Sequence, residues 1–325
     1  VNDSVVVAQA ASSVEPTQSS RPGPLVWESS SGRLKGSLAP SFWPSFGGPD
    51  AFMLYQLGVY ASAEYQFNPS TWISGGANYR LLDNYDKFKY TAPSNLPRVR
   101  TNVREYVTQS HLTLNNLQLT HVLQQGRNNF FSLYGGLLES MYAGVGGEWL
   151  YRPVASKWAL GVDVNRVKQR DFDQKFSMRD YSVTTGHATV YWDTGWNGIL
   201  AKLSAGQYLA GDKGATLDIS KTFSNGVTVG AWATKTNVSS AQFGEGSFDK
   251  GIYFSIPFDV MMPRSSNSRA NFVWQPLMRD GGARLSRAVQ LYDLTTTRDR
   301  NAFNYAPAAG DQVQPPQTGE DIFSR

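Results

Sequence analysis

The chain has 325 residues, no cysteine and a formal net charge of +4. Without cysteine there are no disulfides and no thiolate metal sites, a composition that suits an oxidising compartment, and the small, dispersed charge leaves no footprint for nucleic acid. No run approaches the roughly 18 apolar residues of a membrane helix, although a β-barrel escapes hydropathy because half of every strand faces a wet lumen.

Residues 1–32 are rich in Ser, Pro, Gln and Val and read as a linker or extended arm. They show no basic region followed by an apolar core, hence no signal peptide. An exported chain needs one, so we expect a mature form or a fragment of a longer precursor.

A first strand fits Arg33 to Phe42, followed by the turn signal WPSFGGPD. Tyr55 to Phe67 then sets the grammar of the chain. Tyr55, Leu57, Val59, Ala61, Ala63, Tyr65 and Phe67 form one face; Gln56, Gly58, Tyr60, Ser62, Glu64 and Gln66 form the other. A period of two means extended backbone. The run exceeds the usual soluble strand of about 5–6 residues and suits a tilted bilayer crossing of roughly 9–11.

The pattern resumes at Thr71 with Ile73, Ala77, Tyr79 and Leu81 on the apolar face. A polar loop at Asp83 to Thr101 leads to a strand expected between Asn102 and Leu123, whose alternation slips at Asn115-Asn116 and suggests a bulge. Strands follow at Phe130 to Leu138, Tyr142 to Tyr151 and Trp158 to Asn165, and a charged loop is expected over Arg166 to Asp180. Further strands fit Tyr181 to Trp192, the stretch through Ala201, Leu203 and Ala205, and the hairpin Ala215 to Thr236 around Asn225-Gly226. Gly251 to Phe258, Ala270 to Leu277 and Ala283 to Leu294 complete the set, before a disordered tail over 298–325.

The fold expected is therefore all-β: an antiparallel, up-and-down transmembrane barrel over residues 33–297, with about 14 strands (range 12–16). Short turns alternate with long connections, and aromatics (Phe67, Trp72, Tyr151, Trp158, Trp192, Trp196, Phe223) gather at the short-turn ends, as at a membrane interface. Both regularities put the termini on the periplasmic side of an outer membrane. A soluble β-sandwich also alternates; its outer face would be charged, whereas here whole strands keep one apolar face.

No catalytic signature emerges. His111, His121 and His187 are scattered without metal-ligand spacing, and Thr185, Thr189 and Asp193 near His187 are ordinary strand residues. No cofactor is expected. The expected lumen face carries Tyr60, Glu64, Arg80, Glu148, Asp163, Lys202, Tyr208, Asp218 and Trp232. These either brace the wall by mutual pairing or form a track for a polar polymer, with rings stacking on sugars and charges steering it. The basic loops are solvated or touch lipopolysaccharide phosphates.

Four stretches go beyond generic barrel grammar: NLPRVRTNVREY (Asn95 to Tyr106), NLQLTH (Asn116 to His121), FVWQPLMRDGGARL (Phe272 to Leu285) and LYDLT (Leu291 to Thr295). They resemble the YjbH family of outer-membrane proteins, encoded with exopolysaccharide and capsule biosynthesis genes. The resemblance runs over most of Arg33 to Thr297. It implies an outer-membrane barrel with a part in exopolysaccharide secretion or assembly, in contact with lipid, the polymer and other export proteins. It supplies no catalytic residues. Family members are typically longer lipoproteins with an upstream region, which becomes a further expected partner. A diffusion porin and a lipid- or polysaccharide-modifying enzyme are the alternatives.

Overall fold

The computed structural model describes residues 32–239, 248–258, 269–275 and 279–298. The expected linker at 1–31 and the tail at 299–325 lie outside the described residues. One sheet of 13 strands, each hydrogen-bonded to its sequence neighbours, organises the chain. In order these are β1 (Leu34–Phe46), β2 (Met53–Asn68), β3 (Thr71–Asp83), β4 (Leu112–Gln125), β5 (Asn129–Leu137), β6 (Tyr142–Tyr151) and β7 (Trp158–Arg170). There follow β8 (Met178–Asp193), β9 (Ile199–Gln207), β10 (Lys213–Thr222), β11 (Thr228–Thr236), β12 (Asp249–Pro257) and β13 (Arg269–Trp274). The short helices α1 (Val103–Gln109) and α2 (Leu291–Leu294) punctuate the connections.

The strands form because apolar residues recur at every second position, and the register keeps them on one face. On β2, Leu57, Ala61, Ala63 and Tyr65 are exposed while Gln56, Gly58 and Tyr60 are buried. On β7 the same rule exposes Trp158, Leu160, Val162 and Val164 and buries Asp163 and Asn165. The sheet is thus apolar outside and polar inside, the reverse of a soluble core. At the short-turn end the outer face carries Tyr65 edge-on to Phe67, and Trp158 stacked on Trp192 at 5.2 Å. Towards the other end it turns basic: Arg166 and Lys168 on β7, Lys213 on β10 and Lys235 on β11 are all exposed.

Three expectations are corrected. Part of the strand expected between Asn102 and Leu123 is helix α1, because Val103, Tyr106 and Val107 recur at helical spacing and bury one face. The expected bulge is present: Gly76 pairs with Asn116 and Ala77 with Leu114, which leaves Asn115 over. Second, most of the loop expected over Arg166 to Asp180 is strand; β7 runs to Arg170 and β8 starts at Met178, since main-chain pairing continues where the outer side chains become polar.

Third, Ala283 to Leu294 is not a strand. The segment 280–298 crosses the inward face from the long-loop end to the short-turn end and ends in α2. Its residues are held there by side chains of β5 to β9 and of the intervening connections, among them Glu148, Ser204 and Asp212, so its alternation never meets a strand edge. The sheet consequently is not closed: no ladder joins β1 to β13 among the described residues. Leu34 pairs with Tyr65 and Arg269 with Pro257, so both edge strands start at the short-turn end and run the same way. The strap returns the chain, and Arg298 binds Ala155 beside that same end. Leu34 and Arg298 therefore share one end of the sheet, as expected, because the strap returns the chain across the inward face.

Candidate functional site

The register places two carboxylates side by side on the inward face. Glu148 of β6 lies directly opposite Asp163 of β7, which lies opposite His187 of β8. Like charges so placed repel, and both side chains are nearly inaccessible. The cation that resolves this comes from the strap. Arg287 Nη1 donates to Glu148 Oε2 at 2.8 Å, and Nη2 lies 3.8 Å from Asp163 Oδ1. Asn165 donates to Asp163 at 2.7 Å, and Tyr134 OH donates to Asn165. A buried pair of this kind is weak evidence for net stability, but loss of either partner strands the other as an uncompensated buried charge.

Both ends of the strap are also pinned. At the long-loop end Asp280 Oδ1 accepts the amides of Val99, Arg100 and Thr101 at 2.8–3.0 Å. Arg100 in turn grips Glu139 with both guanidinium nitrogens and donates to the Arg284 carbonyl. At the short-turn end Arg152 stacks on the Tyr292 ring at 3.9 Å and donates to Tyr292 O and Thr295 Oγ1. Tyr292 lies flat on Tyr191 at 3.9 Å. Two small apolar clusters sit at these ends, one around Tyr106, Met141 and Tyr142, the other around Leu150, Tyr191 and Leu291. The quoted stretch Asn95 to Tyr106 thus grips the start of the strap, which carries the end of the quoted Phe272 to Leu285, and the quoted Leu291 to Thr295 forms the strap's other end.

Of the residues expected on the inward face, Glu148 and Asp163 form the buried ion cluster. Arg80 is inward but spent: Nη1 and Nη2 donate to Val107 and Thr108 carbonyls of α1, and Nε sits 3.2 Å from Asp83. Tyr208 lies just past β9, wholly buried, edge-on to His187 and hydrogen-bonded to Thr216. Tyr60 is buried against Gly76, where a Cβ would come within 1.9 Å of the phenol oxygen. Glu64 is half-buried opposite Lys35.

Lys202, Asp218 and Trp232 are also brought together: they pair in a single cross-sheet row over β9, β10 and β11 and are partly buried. Sequence reasoning missed Arg284, Arg287, Asp280 and Arg152, which act at long range, and Tyr253 and Asp249 of β12. The alternation of β12 does put Tyr253 on the face of Trp232. Among the described residues His187 has no Ser or carboxylate hydrogen bond, and its Nε2 has no hydrogen-bond partner. Among the described residues no group of three or more metal-ligating side chains occurs, and no helix is long and apolar enough to cross a membrane.

A family model described as "Exopolysaccharide biosynthesis protein YbjH" matches residues 2–297. The chain belongs to the YjbH family. The lipoprotein YjbH of Escherichia coli (strain K12) is 47% identical over 282 residues, which cover 85% of this chain and 40% of that protein. The chain therefore spans less than half the length of this curated YjbH relative. The stretches quoted above for the resemblance, with the strap among them, fall within the matched region.

Proposed function

We propose that the sheet is the wall of an outer-membrane β-barrel that serves exopolysaccharide secretion or assembly. The observation that carries this reading is the inversion of the sheet: apolar outside over whole strands, polar inside around a salt-bridged strap. Hydrocarbon selects that arrangement and water selects against it. Interfacial aromatics at the short-turn end and basic side chains at the other end orient the wall, with the short turns in the periplasm and the basic rim among lipopolysaccharide phosphates. Lipid does not tolerate open sheet edges, so the proposal requires the edges of β1 and β13 to be covered within the membrane. The family description supports the polysaccharide role, and the relative's name as a lipoprotein supports membrane attachment.

The role proposed is non-enzymatic, as a passage or scaffold for the polymer. The strap favours a guided or gated passage, or a scaffold, over a general diffusion porin, because it occupies the wall of β5 to β8 that an open pore would leave wet. Deleting the gene should reduce surface polysaccharide while leaving its cytoplasmic synthesis intact. Normal secretion from the deletion strain would refute the proposal.

A further inference from the structure

Three buried arginines of this protein are spent on carboxylates: Arg80 on Asp83, Arg100 on Glu139 and Arg287 on Glu148. Arg166, exposed on the outward face of β7, is different. Its Nη1 donates to Thr184 Oγ1 and its Nη2 to Ser182 Oγ, both at 3.1 Å, and among the described residues it meets no carboxylate. Lys168, the next outward residue of β7, is exposed and forms no ion pair among them either.

The two cations stand where the outer face changes character. Val145 of β6 lies directly opposite Arg166, and Val164 is the preceding outward residue of β7; these valines are 61% and 57% exposed. Val162 and Leu160 continue the apolar column towards the short-turn end. A step of about 7 Å along the strand thus separates side chains that seek hydrocarbon from side chains that seek an anion. Two of the five guanidinium donors of Arg166 are used on β8. The other three remain, together with the protons of the two hydroxyls that accept from it, and Lys168 adds a second charge beside them. Asp180, the next outward residue of β8, is exposed and in no ion pair. It lies on the loop side of the cations, away from the apolar column. Lys213 of β10 continues the positive charge along the rim.

We propose that Arg166 and Lys168, with Ser182 and Thr184, form a site on the outward face for a phosphate of lipid A, the phosphorylated glycolipid of an outer leaflet. The planar fork of arginine suits phosphate bidentately, and lysine lays its stem along apolar surface while its head reaches the polar layer. The occupant is a lipid and not a soluble anion because the site adjoins the apolar column. The phosphate rests on Arg166 and Lys168 while the acyl chains run down over Val164, Val162 and Leu160. The inference rests on the outer-membrane reading and adds to it one lipid and the residues that hold it.

The test uses the full-length protein in detergent, titrated with diphosphorylated lipid A and followed by native mass spectrometry. Arg166→Gln and Lys168→Gln should each weaken binding about fivefold, and the double variant about thirtyfold. Dephosphorylated lipid A should bind the wild type no better than the diphosphorylated lipid binds the double variant. Asp180→Asn, which removes a repelling charge, should bind as tightly as wild type or more so. Lys157→Gln, the same charge change in a short turn, should bind as wild type. Heat-modifiable migration on gels reports folding for each variant. Equal affinity of the wild type and the folded double variant overturns the site. So does absence of binding, binding that survives loss of the lipid phosphates, or displacement by inorganic phosphate at equal concentration. In each of these cases lipid-phase labelling of Val59→Cys leaves the outer-membrane reading standing, whereas its labelling by a water-soluble reagent overturns both.

Discussion

Replacing Arg287 with Met removes the strap cation that contacts both Glu148 and Asp163. The Arg287–Glu148 contact is 2.8 Å, with side chains 8% and 2% exposed, so water cannot take over the solvation of the carboxylate left behind. Breaking a buried pair on one side costs about 3–5 kcal/mol, most of it the uncompensated charge. The strap is tied to β6 through this cluster, and the Leu291 amide also donates to Glu148 Oε2. The cost therefore falls on strap opening, which should become more frequent by about two to nearly four orders of magnitude. Native-state hydrogen exchange at the Leu291 amide, in nanodiscs, reads this directly. The triple variant Glu148→Gln, Asp163→Asn, Arg287→Met removes the orphaned charges and should recover most of the protection. Protection in Arg287→Met within about threefold of wild type, which is well under 1 kcal/mol, would refute the reasoning. So would a triple variant no better protected than the single one.

Arg152→Met should release the short-turn end of the strap alone, so that exchange rises at Thr295 and Arg298 while Val99 and Thr101, bonded to Asp280, stay protected. Val59→Arg, at the middle of the outer face of β2, should destabilise the protein in lipid by about 2–4 kcal/mol, measured by denaturant titration in vesicles. Gly76→Ala should cost about 1–3 kcal/mol by overpacking against Tyr60, and Tyr60→Ala in the same chain should relieve it.

What the sequence made legible was whatever depends on neighbours in the chain. The face assignments of β2 and β7, the bulge at Asn115 and the Asn225-Gly226 hairpin all follow from period and turn chemistry. Helix α1 was lost because seven residues give barely two helical turns, and Val103, Tyr106 and Val107 also fit a slipping strand. The strap was lost for a different reason. Ala283 to Leu294 alternates weakly, and what holds it inside (Glu148, Asp163, Glu139, Arg152) lies more than a hundred residues upstream. Arg80 and Tyr208 were placed on the correct side of the sheet, yet their availability is decided by α1 and by Thr216, which local pattern does not reveal.

Every part of the account depends on the outer face meeting lipid. The chain has no cysteine, so single cysteines placed at Val59 and at Ser62 report cleanly. In native outer membranes, Val59→Cys should react with a lipid-phase maleimide and resist a charged, water-soluble one. Ser62→Cys should do the opposite. Labelling of Val59→Cys by the water-soluble reagent, or of Ser62→Cys by the lipid-phase reagent, would contradict the account.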